Sequence, residues 1–408
     1  MGSQNLARLD FPADAHAPEA PGAEDSPGGR LSVRRLTLTD FRCYRFQRLE
    51  VDESPVVLTG PNGAGKTNLL EGLSFLVPGR GLRRARLADV ARHEGGAPAG
   101  TPRPWGVAAT VRTPTGEVKI GTGYEKPPEG KPDKRTVRVD GEGVKTQAVL
   151  AEHLSAHWLT PQMDRLFIEG PSSRRRFLDR LAFDSDPAHA GRVKAYDHAM
   201  RERMRLLRGG DADPAWLTAL EDTMAAKGVA VAAARVDMAG RLGRQLAGET
   251  GAFPRAAVEV TGAVETWLSE GPALAAEDRL REALEAERGR DQAKGRAATG
   301  PHRSDLKVLH LGNGRPAELC STGEQKALLV ALVLAAVRLR TRERGWAPLL
   351  LLDEIVAHLD ETRRRALLDE IPSLGQVWLT GTDAALFEPL GSRAQFFRVA
   401  DAKITPVA

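Results

Sequence analysis

Gly60-Pro61-Asn62-Gly63-Ala64-Gly65-Lys66-Thr67 constrains this chain more than any other stretch. It fits the phosphate-loop pattern G-x-x-x-x-G-K-[ST]. Val56-Val57-Leu58-Thr59 before it reads as a short buried strand, and Asn68-Leu69-Leu70-Glu71-Gly72-Leu73 after it reads as the start of a helix. A strand, a glycine-rich loop and a helix in that order belong to an α/β fold. Glycines let successive backbone N–H groups turn inward as an anion nest, and the helix N-terminus adds the positive end of its dipole. Lys66 can then reach the β- and γ-phosphates of ATP, and the Thr67 hydroxyl can ligate Mg2+.

Leu349-Leu350-Leu351-Leu352-Asp353-Glu354, far downstream, is an apolar run ending in two carboxylates. Such runs form strands buried on both faces of a parallel sheet. Asp353 falls at the carboxyl end, where α/β sheets bind ligands, and can hold the Mg2+ shell. Glu354 can take a proton from an attacking water. Alone, these residues would equally describe a core strand followed by a solvated acidic pair. The phosphate loop in the same chain favours the catalytic reading.

Ser321-Thr322-Gly323-Glu324-Gln325 opens a helical run from Lys326 to Arg340. Glu324 stands three residues after Ser321, the spacing of a capping box, so a plain helix cap explains the stretch locally. Its place just upstream of the Asp353-Glu354 strand points further, to an ABC-type signature. There a helix N-terminus offers its hydroxyl and N–H groups to a nucleotide held by a second subunit. Ser321 and Gly323 would make that contact, and Asp360 fits the loop that crosses the dimer interface in such ATPases.

The chain resembles the RecF family of bacterial DNA replication and repair proteins, ABC-type ATPases related to the heads of SMC proteins and Rad50. The resemblance runs from about residue 31 to 407. It rests on Leu36-Thr-Leu-Thr-Asp-Phe-Arg-Cys-Tyr44, the phosphate loop with Asn68, Gly170-Pro-Ser-Ser-Arg-Arg-Arg-Phe-Leu-Asp179 and Gly300-Pro-His-Arg303. It rests also on the signature stretch, Asp353-Glu-Ile-Val-Ala-His-Leu-Asp360 and Leu379-Thr-Gly-Thr-Asp383. It implies an α/β ABC-type P-loop ATPase head with an inserted helical lobe, a short antiparallel helical arm. It implies ATP and Mg2+, and an ATP-driven head-to-tail homodimer that clamps duplex DNA near single-strand gaps without reading sequence. It implies RecR and RecO as partners in loading the recombinase, and a weak, DNA-stimulated ATP hydrolysis that resets the dimer.

Two further residues enter through the same likeness. Gln162, after His157-Trp-Leu-Thr160, fits a Q-loop whose side chain touches Mg2+ and the attacking water. Arg42 resembles the arginine that SMC-type heads aim at nucleotide phosphates. From the residues alone, a surface glutamine at the Pro161 turn and a surface arginine beside a buried phenylalanine read the same way. Many ABC ATPases carry a switch histidine after the strand that follows the carboxylates; here Gly381-Thr382-Asp383 stands in that place.

Composition agrees with this reading. A chain of 408 residues can bury a large core in more than one lobe. A net charge of +4 permits nucleic-acid binding without demanding it. Only Cys43 and Cys320 are present, which supports neither a disulfide framework nor a zinc cluster. The longest apolar stretch, 327–337, falls short of the roughly 20 residues a membrane span needs, and no signal segment opens the chain. A soluble, cytoplasmic protein is expected.

Residues 1–30, rich in Pro, Ala, Gly and acidic residues, read as a disordered tail. The ATPase lobe is expected over 31–187 and 297–408, with the helical lobe over 188–296. Within the first stretch, 105–112 and 117–124 flank a hairpin turn, and Ser172 is expected to cap a basic helix. Within the helical lobe, helices are expected over 188–207, 214–246 and 274–294, with a strand over 257–261. Lys66 and Ser321 lie 255 positions apart. That is more than a transporter ATPase needs and far less than a long-armed SMC protein, and the zinc hook of Rad50 lacks its cysteines here.

Two basic clusters are candidates for DNA contact: Arg80, Arg83, Arg84 and Arg86, and Arg174, Arg175 and Arg176. Arginine can grip backbone phosphates without reading sequence. Either cluster could equally be a solvated face. Two other classes stay open, a transporter-type ATPase subunit and a scaffold in which ATP only templates dimerisation.

Overall fold

The computed structural model describes residues 30–92, 103–127, 133–210 and 213–407. The expected N-terminal tail lies outside the described residues, Arg30 apart. The chain divides into two units. One runs through Ala156 and takes in Trp346–Asp353 and the stretch from Ile371; the other comprises His157–Gly345 and Glu354–Glu370.

The first unit contains two sheets. Strands β1 (Ser32–Phe41) and β2 (Tyr44–Glu50) form a hairpin, followed by β3 (Val56–Thr59), α1 (Lys66–Ser74) and the single turn α2 (Leu87–Val90). Then come β4 (Trp105–Thr113), β5 (Gly116–Tyr124), β6 (Arg135–Val139), β7 (Glu142–Gly143) and α3 (Leu150–His153). The antiparallel sheet has the order β2-β1-β4-β5-β6-β7. Alternation decides its buried face: Leu36 pairs with Leu49 on one side and Ala109 on the other, and all three are buried. The expected hairpin is present, with Thr113 opposite Gly116 across its turn. Phe41 seals the packing of α1 on this sheet, edge-on to Phe75 at 5.9 Å and Trp105 at 5.4 Å.

The second sheet carries the chemistry. β12 (Leu349–Asp353), β13 (Val377–Gly381), β3 and β14 (Gln395–Ala400) run parallel, and β15 (Lys403–Pro406) returns antiparallel. Within this unit the order is β15-β14-β3-β13-β12. Every residue of β3, β12 and β13 is buried, as expected of strands covered on both faces. The ends of β3, β13 and β12 coincide, because Leu379 pairs with both Val57 and Leu352.

Strand β8 (Ala156–Leu159) leads into the second unit. That unit holds α4 (Pro171–Ser185), α5 (His189–Gly209), α6 (Pro214–Ala247), β9 (Ala256–Thr261), α7 (Ala263–Glu270), α8 (Ala273–Ala286) and α9 (Arg288–Lys294). β10 (Asp305–His310), β11 (Arg315–Pro316), α10 (Thr322–Arg344) and α11 (Glu361–Glu370) complete it. The single helix expected over 274–294 is two, broken at Glu287. The helix expected to start at Ser172 begins at Pro171 with Gly170 as its N-cap, because proline's fixed φ suits the first helical position.

α5 and α6 run antiparallel. Arg203 bonds Glu221, and an added Cβ on Gly228 would touch Tyr196 at 3.0 Å. Their shared core includes Tyr196, Met224, Val229, Leu280 and Leu284. Inside it Arg203 is wholly buried, yet satisfied by Glu221, Asp291 and the Leu284 carbonyl at 2.6–2.8 Å.

Candidate nucleotide-binding site

The phosphate loop runs from the end of β3 to the start of α1. Gly60 leaves the strand at φ 151°, where a Cβ would lie 2.0 Å from the Val399 carbonyl oxygen. Gly65, at φ 116°, would drive a Cβ into the Tyr44 hydroxyl at 2.6 Å and Cys43 Sγ at 2.9 Å. Both positions therefore demand glycine. Tyr44 Oη donates to the Gly65 carbonyl at 3.1 Å, and burial pushes its hydroxyl pKa well above the usual range.

Lys66 is buried and folds back over the loop, donating to the carbonyls of Gly60 at 2.8 Å and Pro61 at 3.1 Å. Thr67 Oγ1 donates to Asp353 Oδ1 at 2.8 Å. Thr380 Oγ1 donates to the same oxygen at 2.8 Å from β13. The strands thus bring the hydroxyl and the carboxylate of the expected Mg2+ shell into contact. A hydroxyl and a carboxylate are hard oxygen donors that suit Mg2+, which takes few protein ligands and fills its octahedron with phosphate oxygens and water. Among the described residues no cluster of three or more His, Cys, Asp or Glu offers a competing metal site.

Arg42 sits at φ 54° in the turn between β1 and β2. Its guanidinium grips the wholly buried Glu71 of α1 at 2.7 and 2.8 Å and donates to the Asp89 carbonyl at 2.7 Å. Arg83 joins the same carboxylate at 3.0 Å and Asn68 Oδ1 at 2.7 Å. Asn68 in turn donates to Sγ of the exposed Cys43 at 3.1 Å.

The remaining expected residues lie in the second unit. Ser321 caps α10 with a full capping box, exchanging bonds with Glu324, whose carboxyl is held below its usual range by the Ser321 N–H and hydroxyl. Gly323 is exposed and a Cβ there would meet nothing within 4 Å, so the chain's own packing does not require glycine. Gln162 is exposed on a short 3-10 turn, Pro161–Arg165. Asp164 of that turn pairs with Lys326 of α10 at 3.1 Å. Both line one small cavity with Leu329, Ile355, His358 and Leu359, so the Gln162 turn, the signature helix and the loop before Asp360 share a wall. Asp360 accepts the Arg363 N–H at 2.9 Å, at the start of α11. Glu354 adopts φ 57°, a left-handed conformation that costs a non-glycine residue about 1 kcal/mol or more.

Two arginines of the second basic cluster are engaged within the fold. Arg174 is buried, bonds Asp305 at 2.7 and 2.9 Å, and reaches the Leu166, Phe167 and Glu169 carbonyls. Arg175 donates to the Ser304 carbonyl at 2.6 Å. Of the three, only Arg176 is exposed. The Gly170–Asp179 and Gly300–Arg303 stretches thus meet: Asp179 is gripped by Arg235, which also bonds the Pro301 carbonyl at 2.6 Å.

The family described as "RecF/RecN/SMC N terminal domain" matches residues 32–402. The DNA replication and repair protein RecF of Agrobacterium fabrum is 50% identical over 379 residues, covering 92% of this chain and 99% of that protein. The chain belongs to the RecF family. Its counterpart in Rhizobium meliloti is 48% identical over the same shares of both chains. The solved "recombination mediator protein RecF-ATPrS in RecFOR pathway" superposes with a TM-score of 0.82 at 22% identity, over 94% of this chain and all of that one. The Smc head domain from Pyrococcus furiosus reaches 0.51 at 14%, over 93% of this chain and 96% of that one. Those two likenesses bear on fold, and they bear out the ABC-type head expected from the sequence.

Two residues around the site escaped sequence reasoning. Thr380 acts on Asp353 from a neighbouring strand; it stands in the Leu379–Asp383 stretch that carries the resemblance, but nothing in that stretch names its partner. Tyr44 supports Gly65 from the first hairpin, and nothing in its neighbours foretells that.

Proposed function

We propose that this chain is an ATP-dependent DNA-binding protein of recombinational repair and replication-fork restart. The observation that carries the ATP half is the Thr67–Asp353 contact at the foot of a phosphate loop roofed by Lys66. On binding ATP, Lys66 would exchange the Gly60 and Pro61 carbonyls for the β- and γ-phosphates. The loop N–H groups from Gly60 to Thr67, with Asn62, Gly63 and Ala64 at its tip, would wrap the β-phosphate. Thr67 and Asp353 would hold Mg2+, with Gln162 completing its shell. Bound Mg2+ supplies neutralising charge for the phosphates.

Hydrolysis would run through Glu354 as general base, orienting a water whose proton it accepts. Its left-handed backbone supports this, since strained residues cluster at functional sites. Arg42 would reach the phosphates by leaving Glu71. Ser321, Gly323 and Asp360 would serve the nucleotide of a second copy, closing a head-to-tail homodimer. The open space over Gly323 favours such an approach.

The curated relatives' role in DNA replication and repair, at 50% identity over nearly their whole length, supports DNA as the clamped partner, with RecR and RecO in the same pathway. Weak ATP turnover, stimulated by DNA, would reopen the clamp in the cytoplasm. Among the described residues no helix is long and apolar enough to cross a membrane.

The test is sizing with no nucleotide, ADP and ATP, alongside turnover with and without gapped duplex DNA. Dimers only with ATP and faster turnover with DNA are expected. A size indifferent to nucleotide would overturn the clamp.

A further inference from the structure

The loop 78–86 between α1 and α2 is built with care for a surface loop. Arg135 of β6 reaches beneath its start and donates to the carbonyls of Phe75 at 2.6 Å, Val77 at 3.1 Å and Gly79 at 2.8 Å. Ser74 Oγ accepts the Leu82 N–H at 2.8 Å. Trp105 Nε1 donates to the Leu87 carbonyl at 2.7 Å just past the loop's end. Gly79, Gly81 and Arg84 all have positive φ, at 117°, 68° and 55°. Three left-handed residues in six positions give the loop a fixed, tightly turned path.

That path puts four arginines outside. Arg80, Arg83, Arg84 and Arg86 are all exposed. Arg80 and Arg86 pair with no carboxylate among the described residues. Arg83 differs: it turns inward to Asn68, one residue past Thr67, and to Glu71, the same carboxylate that holds Arg42. A cationic loop is therefore wired to the phosphate-loop helix by one buried acid with two arginines on it.

We propose that the 78–86 loop is a sequence-independent seat for the phosphate backbone of duplex DNA, linked through Arg83 and Glu71 to Arg42 at the nucleotide site. This rests on the DNA-clamp reading above. Arginines on a stiff loop suit backbone phosphates, which they bind bidentately at little entropic cost. Loading the loop with phosphate draws Arg83 outward. Glu71 then holds Arg42 with one competitor fewer, so through this link DNA on the loop opposes the release of Arg42 to ATP, a local term set against the ATP-driven clamping proposed above. By reciprocity, whatever DNA does to ATP affinity, ATP does to DNA affinity by the same factor.

Anisotropy of a labelled duplex, titrated at several salt concentrations, reads both halves. For Arg80→Gln with Arg86→Gln we expect at least tenfold weaker DNA binding. The log–log salt slope should shrink by roughly 2, the value for two lost phosphate contacts. ATP affinity and melting temperature should be unchanged. Arg80→Lys with Arg86→Lys should retain most of the slope. Arg83→Gln removes the opposing link and should enlarge the factor by which ATP tightens DNA binding, by about fivefold or more.

A parental protein that binds no DNA overturns the clamp reading and this inference together. Parental binding that the double Gln variant leaves unchanged in affinity and slope overturns the inference alone. A DNA–ATP coupling equally large in the parent and in Arg83→Gln overturns the link through Glu71.

Discussion

Thr67 Oγ1 meets Asp353 Oδ1 at 2.8 Å, although 286 positions of chain separate them. Two parallel strand pairings make the contact, β3 on β13 and β13 on β12, each ending at the same level. Thr380 on the strand between them donates to the same oxygen. The carboxylate is therefore oriented before any ligand arrives, and binding should cost little reorganisation.

Removing the Asp353 charge should expose that design. Asp353→Asn keeps the shape, and Thr67 and Thr380 still find an oxygen acceptor. We expect Mg2+-dependent ATP affinity to fall about tenfold or more, ~1.4 kcal/mol, while metal-free ATP binding changes little. Calorimetry with Mg2+ and with EDTA checks this. Equal losses under both conditions would remove Asp353 from the metal shell.

Glu354→Gln separates binding from turnover. The amide cannot accept the water's proton, so hydrolysis should drop by 10²-fold or more, within the range general bases contribute. ATP should still bind, and the ATP-bound dimer should outlive that of the parent. Parental turnover in this variant would place the base elsewhere.

The phosphate loop and the Asp353 strand were legible because each is contiguous and each residue type is dictated by its own backbone. Gly60 and Gly65 hold positive φ, a demand of the loop's own backbone. Thr380 was not legible, because its meaning comes from the strand beside it. Arg174 misled for a related cause: a run of three arginines looks the same whether it faces water or, like Arg174, lies buried on Asp305 131 positions away. Arg42 was recognised, but its partner Glu71 was not. A carboxylate inside an amphipathic helix start reads as surface until a hairpin lays an arginine across it.

His302 should make the second unit acid-sensitive. Tyr196 Oη donates to Nδ1 at 2.7 Å, leaving the Nε2 proton for the Ala297 carbonyl at 3.1 Å. Burial lowers its pKa to about 4, helped by Arg303 and Arg175, although the Ala297 carbonyl and Asp291 pull the other way. The native state keeps it neutral while the unfolded chain protonates near 6.5. This contribution should therefore be intact at pH 7 and lost progressively as pH falls from about 6.5 to 4, by an amount on the order of 3 kcal/mol. Melts across that range should show the slope in the parent and a flatter one in His302→Gln. Parallel curves would remove His302 as the cause.

The composite site makes the sharpest prediction. If Ser321 serves the partner's nucleotide, as proposed, Ser321→Arg should spare ATP binding by the monomer. It should block ATP-driven dimerisation, because a long cation would sit where a helix N-terminus must close on a phosphate. Lys66→Ala should do the reverse, losing ATP affinity while leaving its own signature intact. Each variant alone should be inactive. In a mixed dimer, one site combines the Lys66→Ala loop with the Ser321→Arg signature and carries both defects. The other combines two unaltered halves and carries neither. Trans geometry therefore predicts that turnover returns on mixing, approaching half the parental rate per mixed dimer if the sites act independently. A cis arrangement predicts no recovery, since every site then keeps its own single defect. Turnover across a range of mixing ratios, with mixed dimers demonstrated by tag exchange, decides between the two; a flat zero would rule out the head-to-tail pair.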